Sequence, residues 1–195
     1  MKNLLIISSV LLISGCATKN ANNQYQSTYS YHSYLDNYTN NTISNYNLEE
    51  NNPREYQLNN THVSNLTHKI EQTAKSHLGK PYVWGANGPY SFDCSGFTKA
   101  VYSQFGMEIP RVSKEQAKYG QIVPWQQLQK GDLIFFDSKK SSKVSHVGIY
   151  LGEGSFIHAS SSKHRVVISN LTSSYYSKHF KWGRRLTQEN VYASR

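Results

Sequence analysis

A cysteine stands between an acid and a small hydroxyl residue in Pro-Tyr-Ser-Phe-Asp-Cys-Ser-Gly-Phe, residues 89–97, just where an apolar helical pattern begins. Asp93 has the side chain of a helix N-cap. Cys94 is then the first helical residue, surrounded by unpaired backbone N–H groups and the positive end of the helix dipole. That field favours a thiolate and lowers the thiol pKa. Ser95 and Gly96 are small, which leaves the sulfur accessible. A cysteine that merely fills space would sit more naturally on the Phe97/Val101 face, since a free Cys behaves as a small buried hydrophobe. Position alone leaves both readings open, nucleophile and packing.

A nucleophile needs a base and a group that orients the base. Two histidines answer this, His146 in Ser-His-Val-Gly-Ile-Tyr and His158 in Phe-Ile-His-Ala-Ser-Ser. They lie on successive extended runs joined by Leu-Gly-Glu-Gly-Ser, which reads as a hairpin. If Leu151 pairs with Ser155, the loop is Gly152-Glu153-Gly154, with Gly154 left-handed. His158 then lies opposite Gly148, and the two histidines share a face as diagonal neighbours. A plain two-residue loop puts them on opposite faces. The pair therefore demands an odd-length or bulged turn, and the glycines permit one.

The elements that must hold these residues follow from periodicity. Val63, Leu66, Ile70, Ala74 and Leu78 recur at helical spacing and stop at Gly79. Phe97, Ala100, Val101 and Phe105 line a second helix that ends at Gly106. Ser113 and Gln116 have capping-box spacing, which predicts a short third helix. The period then becomes extended in residues 132–137, 145–151, 155–160, 165–169 and 180–186. Helices first and strands afterwards predict an α+β fold, with N-terminal helices packed on an antiparallel sheet.

The start of the chain is different. Lys2, an apolar run from Leu4 to Ile13 and Ser14-Gly15-Cys16 have the layout of a cleaved export signal over residues 1–15. The ending resembles a bacterial lipobox, which implies cleavage before Cys16 and its acylation. Each buried methylene of such an anchor contributes about 0.8 kcal/mol. Residues 17–60 hold twelve Asn and seven Tyr but four large aliphatics, Leu35, Ile43, Leu48 and Leu58. So little apolar surface does not offset ordering entropy, so residues 16–60 are expected to be a disordered tether spanning roughly 35–40 Å as a coil. Residues 61–195 are expected to fold alone.

Asp-Cys-Ser-Gly-Phe, His-Val-Gly-Ile-Tyr and Phe-Ile-His-Ala-Ser-Ser, in that order, look like the signature blocks of the NlpC-type cell-wall cysteine endopeptidases. Pro-Tyr-Val-Trp-Gly, Pro-Arg-Val-Ser-Lys-Glu-Gln and Lys-Gly-Asp-Leu-Ile-Phe-Phe also resemble family segments, and the likeness covers about residues 62–187. The resemblance implies a papain-like fold and hydrolysis of peptide bonds in peptidoglycan stems, either the D-Glu–diaminopimelate bond within a stem or the D-Ala–diaminopimelate cross-link. By position it makes Cys94 the nucleophile, His146 the general base and His158 the residue that orients His146. Tyr82 matches the tyrosine near the nucleophile, a donor for the oxyanion or the substrate. Asp93 and Ser95 become candidates for binding the stem peptide, although capping and small size explain them equally well. Arg111 stays open between a structural role and a meeting with a substrate carboxylate. One departure is Gly85-Ala86, where the family often has Gly-Gly, which bears on specificity more than on chemistry. No metal and no cofactor are expected. The expected partners are peptidoglycan stem peptides and, through the lipid anchor, a membrane; nucleic acid is not expected, and the protein is expected to be a monomer. Ala17 after Cys16 implies the outer membrane in a Gram-negative cell, by the sorting rule for such lipoproteins, and in a Gram-positive cell the outer face of the only membrane. Two rival readings are an acyltransferase on a related fold, which would place His before Cys, and a non-catalytic wall-binding lipoprotein, which would lack one of the three residues.

Charge is segregated. Residues 17–60 carry two basic and four acidic side chains, and residues 61–195 carry eighteen and eight. A domain of net +10 attracts polyanions such as an acidic wall polymer. Its binding to cell walls is expected to weaken from low to physiological salt, measured by co-sedimentation, as screened surface charges do. Salt-independent binding would separate the basic excess from the substrate.

Overall fold

The structure, a computed structural model, describes residues 53–138 and 141–187. The expected export signal 1–15, Cys16 and the expected tether up to residue 52 lie outside the described residues. The first helix, α1, spans Pro53–Lys75. It therefore starts ahead of Thr61, and the tether boundary at residue 60 falls inside it. Proline suits a helix start, where the missing N–H removes no intrahelical bond. Ile70 and Ala74 are buried, whereas Val63 and Leu78 at the ends of the apolar stripe are exposed. Residues 76–79 continue as tight turns up to Gly79, whose φ is +80° and whose N–H donates to Val166 O at 2.9 Å. Among the described residues no helix is long and apolar enough to cross a membrane.

Helix α2 (Cys94–Ser103) begins where the sequence places it. Asp93 is the N-cap, and its carboxylate accepts the Gly96 N–H at 2.7 Å. Phe97, Val101 and Tyr102 are fully buried against the sheet. Helix α3 (Ser113–Gln116) forms, but not through a capping box. Its N-cap is Val112, which has no capping side chain, and Ser113 is already helical. Gln116 instead turns inward, donating to Ser95 O at 3.0 Å and Pro110 O at 2.8 Å while accepting from Thr98 Oγ1 at 2.8 Å. A fully buried amide must satisfy its bonds, and these carbonyls of the α2 region satisfy it.

The strands are β1 (Gln121–Val123), β2 (Leu133–Ser138), β3 (Ser141–Gly152), β4 (Ser155–Ser160), β5 (Arg165–Asn170) and β6 (Phe180–Arg185). A short helix α4 (Ser174–His179) precedes β6. The six strands form one antiparallel sheet in the order β1-β6-β2-β3-β4-β5. The unbroken apolar run Leu133-Ile134-Phe135-Phe136 has a simple cause: both faces of β2 are covered. Leu133 and Phe135 join the main core with α1, α2, Val147, Ile149, Ile157 and Ala159. Ile134 and Phe136 join a second cluster with Phe156 and Leu171, beneath Tyr176 and Phe180. This is the α+β, papain-like arrangement, helices on an antiparallel sheet.

The β3–β4 hairpin solves its register differently from the three-residue loop expected above. Gly152, not Leu151, pairs with Ser155, so the turn has two residues, Glu153 (φ +51°) and Gly154 (φ +72°). Positive φ at both positions is what a type I′ turn requires. A bulge between Tyr150 and Gly152 then restores the pairing Tyr150↔Phe156 and Ile149↔Ile157. Continued by one residue, that register sets His158 against Gly148. The bulge supplies the odd residue that facing histidines need.

Among the described glycines, Gly96 has the closest neighbour. A Cβ there would lie 2.1 Å from Ala86 O. The missing side chain at Gly96 thus admits the 83–91 loop. Gly96→Ala is expected to destabilise the protein by roughly 1–3 kcal/mol, the range for overpacking, and to lower the thermal midpoint. An unchanged midpoint would mean that the loop yields without cost.

Candidate active site

The Asp93 carboxylate is the centre of the site. Its oxygens accept from Arg111 Nη1 at 2.9 Å and Nη2 at 2.6 Å, from Gly96 N at 2.7 Å, from Gly85 N at 3.0 Å and from Ser95 Oγ at 3.3 Å. Burial alone raises this carboxyl; the Arg111 bond and charge with the Gly96 and Gly85 amides outweigh it and hold the group below the usual carboxylate range. Arg111 Nη1 also donates to Ser95 Oγ at 3.0 Å, and Nη2 reaches Ala86 O at 3.4 Å. Arg111, left undecided by the sequence, ties the α2 cap to the 83–91 loop. Asp93 and Ser95, candidates for substrate contact, are both buried in this network.

Cys94 is a free thiol and is buried. Its burial and the neighbouring Asp93 charge push the thiol up to about 11, against the pull of the Val147, Ser95 and Cys94 amides. The helix start does act on the sulfur, as expected, but desolvation exceeds it. The expectation of a lowered thiol pKa is corrected on this ground: burial of the sulfur, helped by the Asp93 charge beside it, outweighs the helix start. The β3–β4 ladder runs from Gly152↔Ser155 to Ile149↔Ile157. Beyond its end the Val147 amide meets the Cys94 sulfur instead. The nucleophile candidate therefore sits against the residue that follows His146.

The histidines meet as the register demands. His146 Nε2 and His158 Nδ1 are 2.7 Å apart, with the rings edge-on at 84°. Both rest on the second apolar cluster, His146 against Phe136 and His158 against Phe156. His146 is half-buried by surface exposure yet densely surrounded by protein. Desolvation pulls its pKa down to about 4, although Asp93 opposes this. Desolvation and then the charge of His146 hold His158 well below its ordinary value as well. Near neutral pH both rings are uncharged, and the resting pair is thiol and imidazole, not thiolate and imidazolium.

Tyr82 runs beside the Phe92 segment and donates its N–H to His164 O at 2.9 Å. Burial raises its phenol, and the Cys94 and Asp93 charges add to this against Arg111. Tyr82, Cys94, Asp93 and Arg111 thus form one electrostatic group. Ser169 and Tyr176, both at His158 Nε2, escaped the sequence reading. The first was within reach of it: β5 sets Val167 opposite His158, so Ser169 shares that face. Nothing local marks Tyr176. Among the described residues no three His, Cys, Asp or Glu side chains gather as a metal site.

Residues 79–185 match the NlpC/P60 family. A Bacillus cereus protein named gamma-D-glutamyl-L-lysine dipeptidyl-peptidase is 43% identical over 115 residues, 58% of this chain and 34% of that protein. The chain thus spans about a third of that relative's length. A crystal structure of an NlpC/P60 family protein from Bacillus cereus superposes with a TM-score of 0.59 at 38% identity, covering 61% of this chain and 39% of that one. The NlpC/p60 domain of the peptidoglycan hydrolase SagA superposes with a TM-score of 0.55 at 32% identity, covering 62% and 98%.

Removing Arg111 leaves the Asp93 carboxylate with a side-chain surface only 10% exposed and no counter-charge. Arg111→Ala is expected to cost about 2–4 kcal/mol, somewhat less than a fully buried pair. The sign with pH follows from the depressed Asp93 value: the pair's contribution is present above the unfolded carboxylate pKa and is lost as pH falls through the folded one. Denaturant unfolding should therefore separate wild type and variant most at neutral pH and least in acid. A gap independent of pH would assign Arg111 to packing.

Proposed function

This chain belongs to the NlpC/P60 family, and we propose that it is a cysteine endopeptidase that hydrolyses peptidoglycan stem peptides. The observation that carries the reading is the 2.7 Å contact between His146 Nε2 and His158 Nδ1, next to the amide on which the Cys94 sulfur rests. With Nε2 occupied by His158, the Nδ1 of His146 is the nitrogen left for Cys94. As the sulfur attacks the scissile carbonyl carbon, the thiol proton passes to His146 Nδ1. The oxyanion that forms has the Cys94 N–H and the Tyr82 hydroxyl as donors. Collapse breaks the C–N bond, and His146 returns the proton to the leaving amine. Water then attacks the thioester with His146 as base, releasing the carboxylate and restoring the thiol. His158 fixes the ring of His146 throughout.

Of the two bonds considered, the one after D-glutamate, to the diamino acid, is favoured over the D-Ala cross-link. The support is the likeness to the relative named for gamma-D-glutamyl-L-lysine cleavage. Tyr82 is the residue on the substrate side, with the buried Asp93 and Ser95 behind it. In this reading Asp93 acts there mostly through the groups it holds, Ser95 and the Gly85 loop. Anchoring through acylated Cys16 to the outer membrane would present the domain to the wall from the periplasmic side.

Digestion of isolated muropeptides, read by mass spectrometry, tests the reading. Cys94→Ala is expected to abolish cleavage while the fold remains, and His146→Ala to be nearly as damaging, because residues acting as one unit are not additive. His158→Asn is expected to retain measurable activity. His158→Ala should lose about one to three further decades, below the roughly 10⁴-fold effect of a wrong tautomer in the serine triad. Full activity of Cys94→Ala would end the endopeptidase reading, and full activity of His158→Ala would remove His158 from it.

A further inference from the structure

His158 has a second ring nitrogen, and its surroundings are as well built as those of the first. Nε2 lies 3.0 Å from Ser169 Oγ and 3.3 Å from Tyr176 Oη. Ser169 comes from β5, two residues beyond the partner of His158 and so on the same face. Tyr176 comes from α4 and stands edge-on to Phe156 at 4.8 Å, Phe136 at 5.3 Å and His158 at 5.6 Å. That packing delivers its hydroxyl to the ring, where Ser169 and Ser160 also bond to it.

The donor count along this chain has a direction. His146 can receive the Cys94 proton at Nδ1 only if its own hydrogen is on Nε2. That hydrogen points at His158 Nδ1, which must then be bare, and neutral His158 carries its hydrogen on Nε2. A hydrogen there needs an acceptor, and the oxygens within reach are Ser169 Oγ and Tyr176 Oη. Their own hydrogens have other acceptors, because Tyr176 bonds to both Ser169 and Ser160 and Ser160 Oγ lies 3.1 Å from Ser162 Oγ. With the reverse tautomer, His158 donates from Nδ1 to His146 Nε2, and the hydrogen on His146 Nδ1 blocks transfer from the thiol.

We propose that Ser169 and Tyr176 are positioning residues whose oxygens accept the His158 Nε2–H, select the His158 tautomer and so keep His146 Nδ1 free for the Cys94 proton. The proposal rests on the endopeptidase reading for its purpose, though not for its geometry. The chain ends in hydroxyls where a serine triad ends in a carboxylate. The ionisable groups facing the pair are Tyr176 from α4 and, through its charge on His146, Asp93 at the α2 cap. Phe136 and Phe156 cover the rest. With neutral acceptors at its end, the chain orients without charging the rings at rest.

The test uses the full chain with ¹⁵N-labelled histidine. Wild-type His158 is expected to show a bare Nδ1 and a protonated Nε2 without substrate. The Ser169→Ala/Tyr176→Phe double variant should lose that preference. On muropeptides its kcat should fall roughly ten- to a hundredfold, the range for loss of an outer histidine partner in metal sites, with KM unchanged. A weaker acceptor chain makes His146 less basic, so the acid limb of the kcat profile should move to lower pH. Ser169→Thr, which keeps a hydroxyl, should restore wild-type behaviour in the single-site series. A wild-type His158 protonated on Nδ1, or a double variant with the wild-type tautomer, overturns the proposal. So does an unshifted acid limb in a double variant that has only lost thermal stability. If wild type has the expected tautomer and the double variant loses it, the proposal stands; failure of the wild type to cleave muropeptides then counts against the endopeptidase reading alone.

Discussion

A single buried carboxylate holds the site together. Asp93 caps α2, pairs with Arg111 and takes the Gly85 amide, so three separate stretches of chain meet on two oxygen atoms. Without those donors, a carboxylate this buried would be costly to keep charged. With them, the charge is stabilised, and the position of Cys94 is fixed by the residue immediately before it. The close approach of Ala86 O to Gly96 belongs to the same joint. Any backbone shift that relaxed one bond would strain the others, which is why the loop, the cap and the ion pair act as one part.

The second constraint is the two-faced sheet. The main core fixes α2 to one face, and the second cluster carries the two histidines on the other. Cys94 and the two histidines therefore come from opposite sides of the sheet, and beyond the end of the β3–β4 ladder Val147 offers its amide to the sulfur. The same burial sets the protonation states. It raises the thiol and lowers both imidazoles, so the neutral pair is the resting form. In the proposed mechanism, a neutral pair makes proton transfer part of the attack instead of a step completed in advance.

Several features of this arrangement were legible in the residues. Asp93 as N-cap, Cys94 as first helical residue, the order of helices and strands, and the shared face of His146 and His158 all follow from local preferences and period-two geometry. The bulged hairpin shows how far such reasoning reaches. Facing histidines required an extra residue somewhere between the strands, and the glycines allowed it. Whether the residue entered the loop or the strand was a choice between turn types of similar local cost, and pairing with β4 decided it. Ser113 and Gln116 show the limit. Their spacing fits a capping box, yet buried carbonyls from Ser95 and Pro110 claim the Gln116 amide, and a satisfied buried amide outweighs an exposed cap.

Sequence by itself determined which residues could react and on which elements they ride, because capping, strand alternation and turn chemistry act between residues near in the chain. The tertiary structure alone decided how they react. Arg111 finds Asp93 across eighteen residues, and Tyr176 finds His158 across the same separation. The protonation of Cys94 depends on how much protein surrounds the sulfur, a quantity no neighbouring residue fixes. Desolvation sums over every atom packed nearby, so it exists only once distant segments have met.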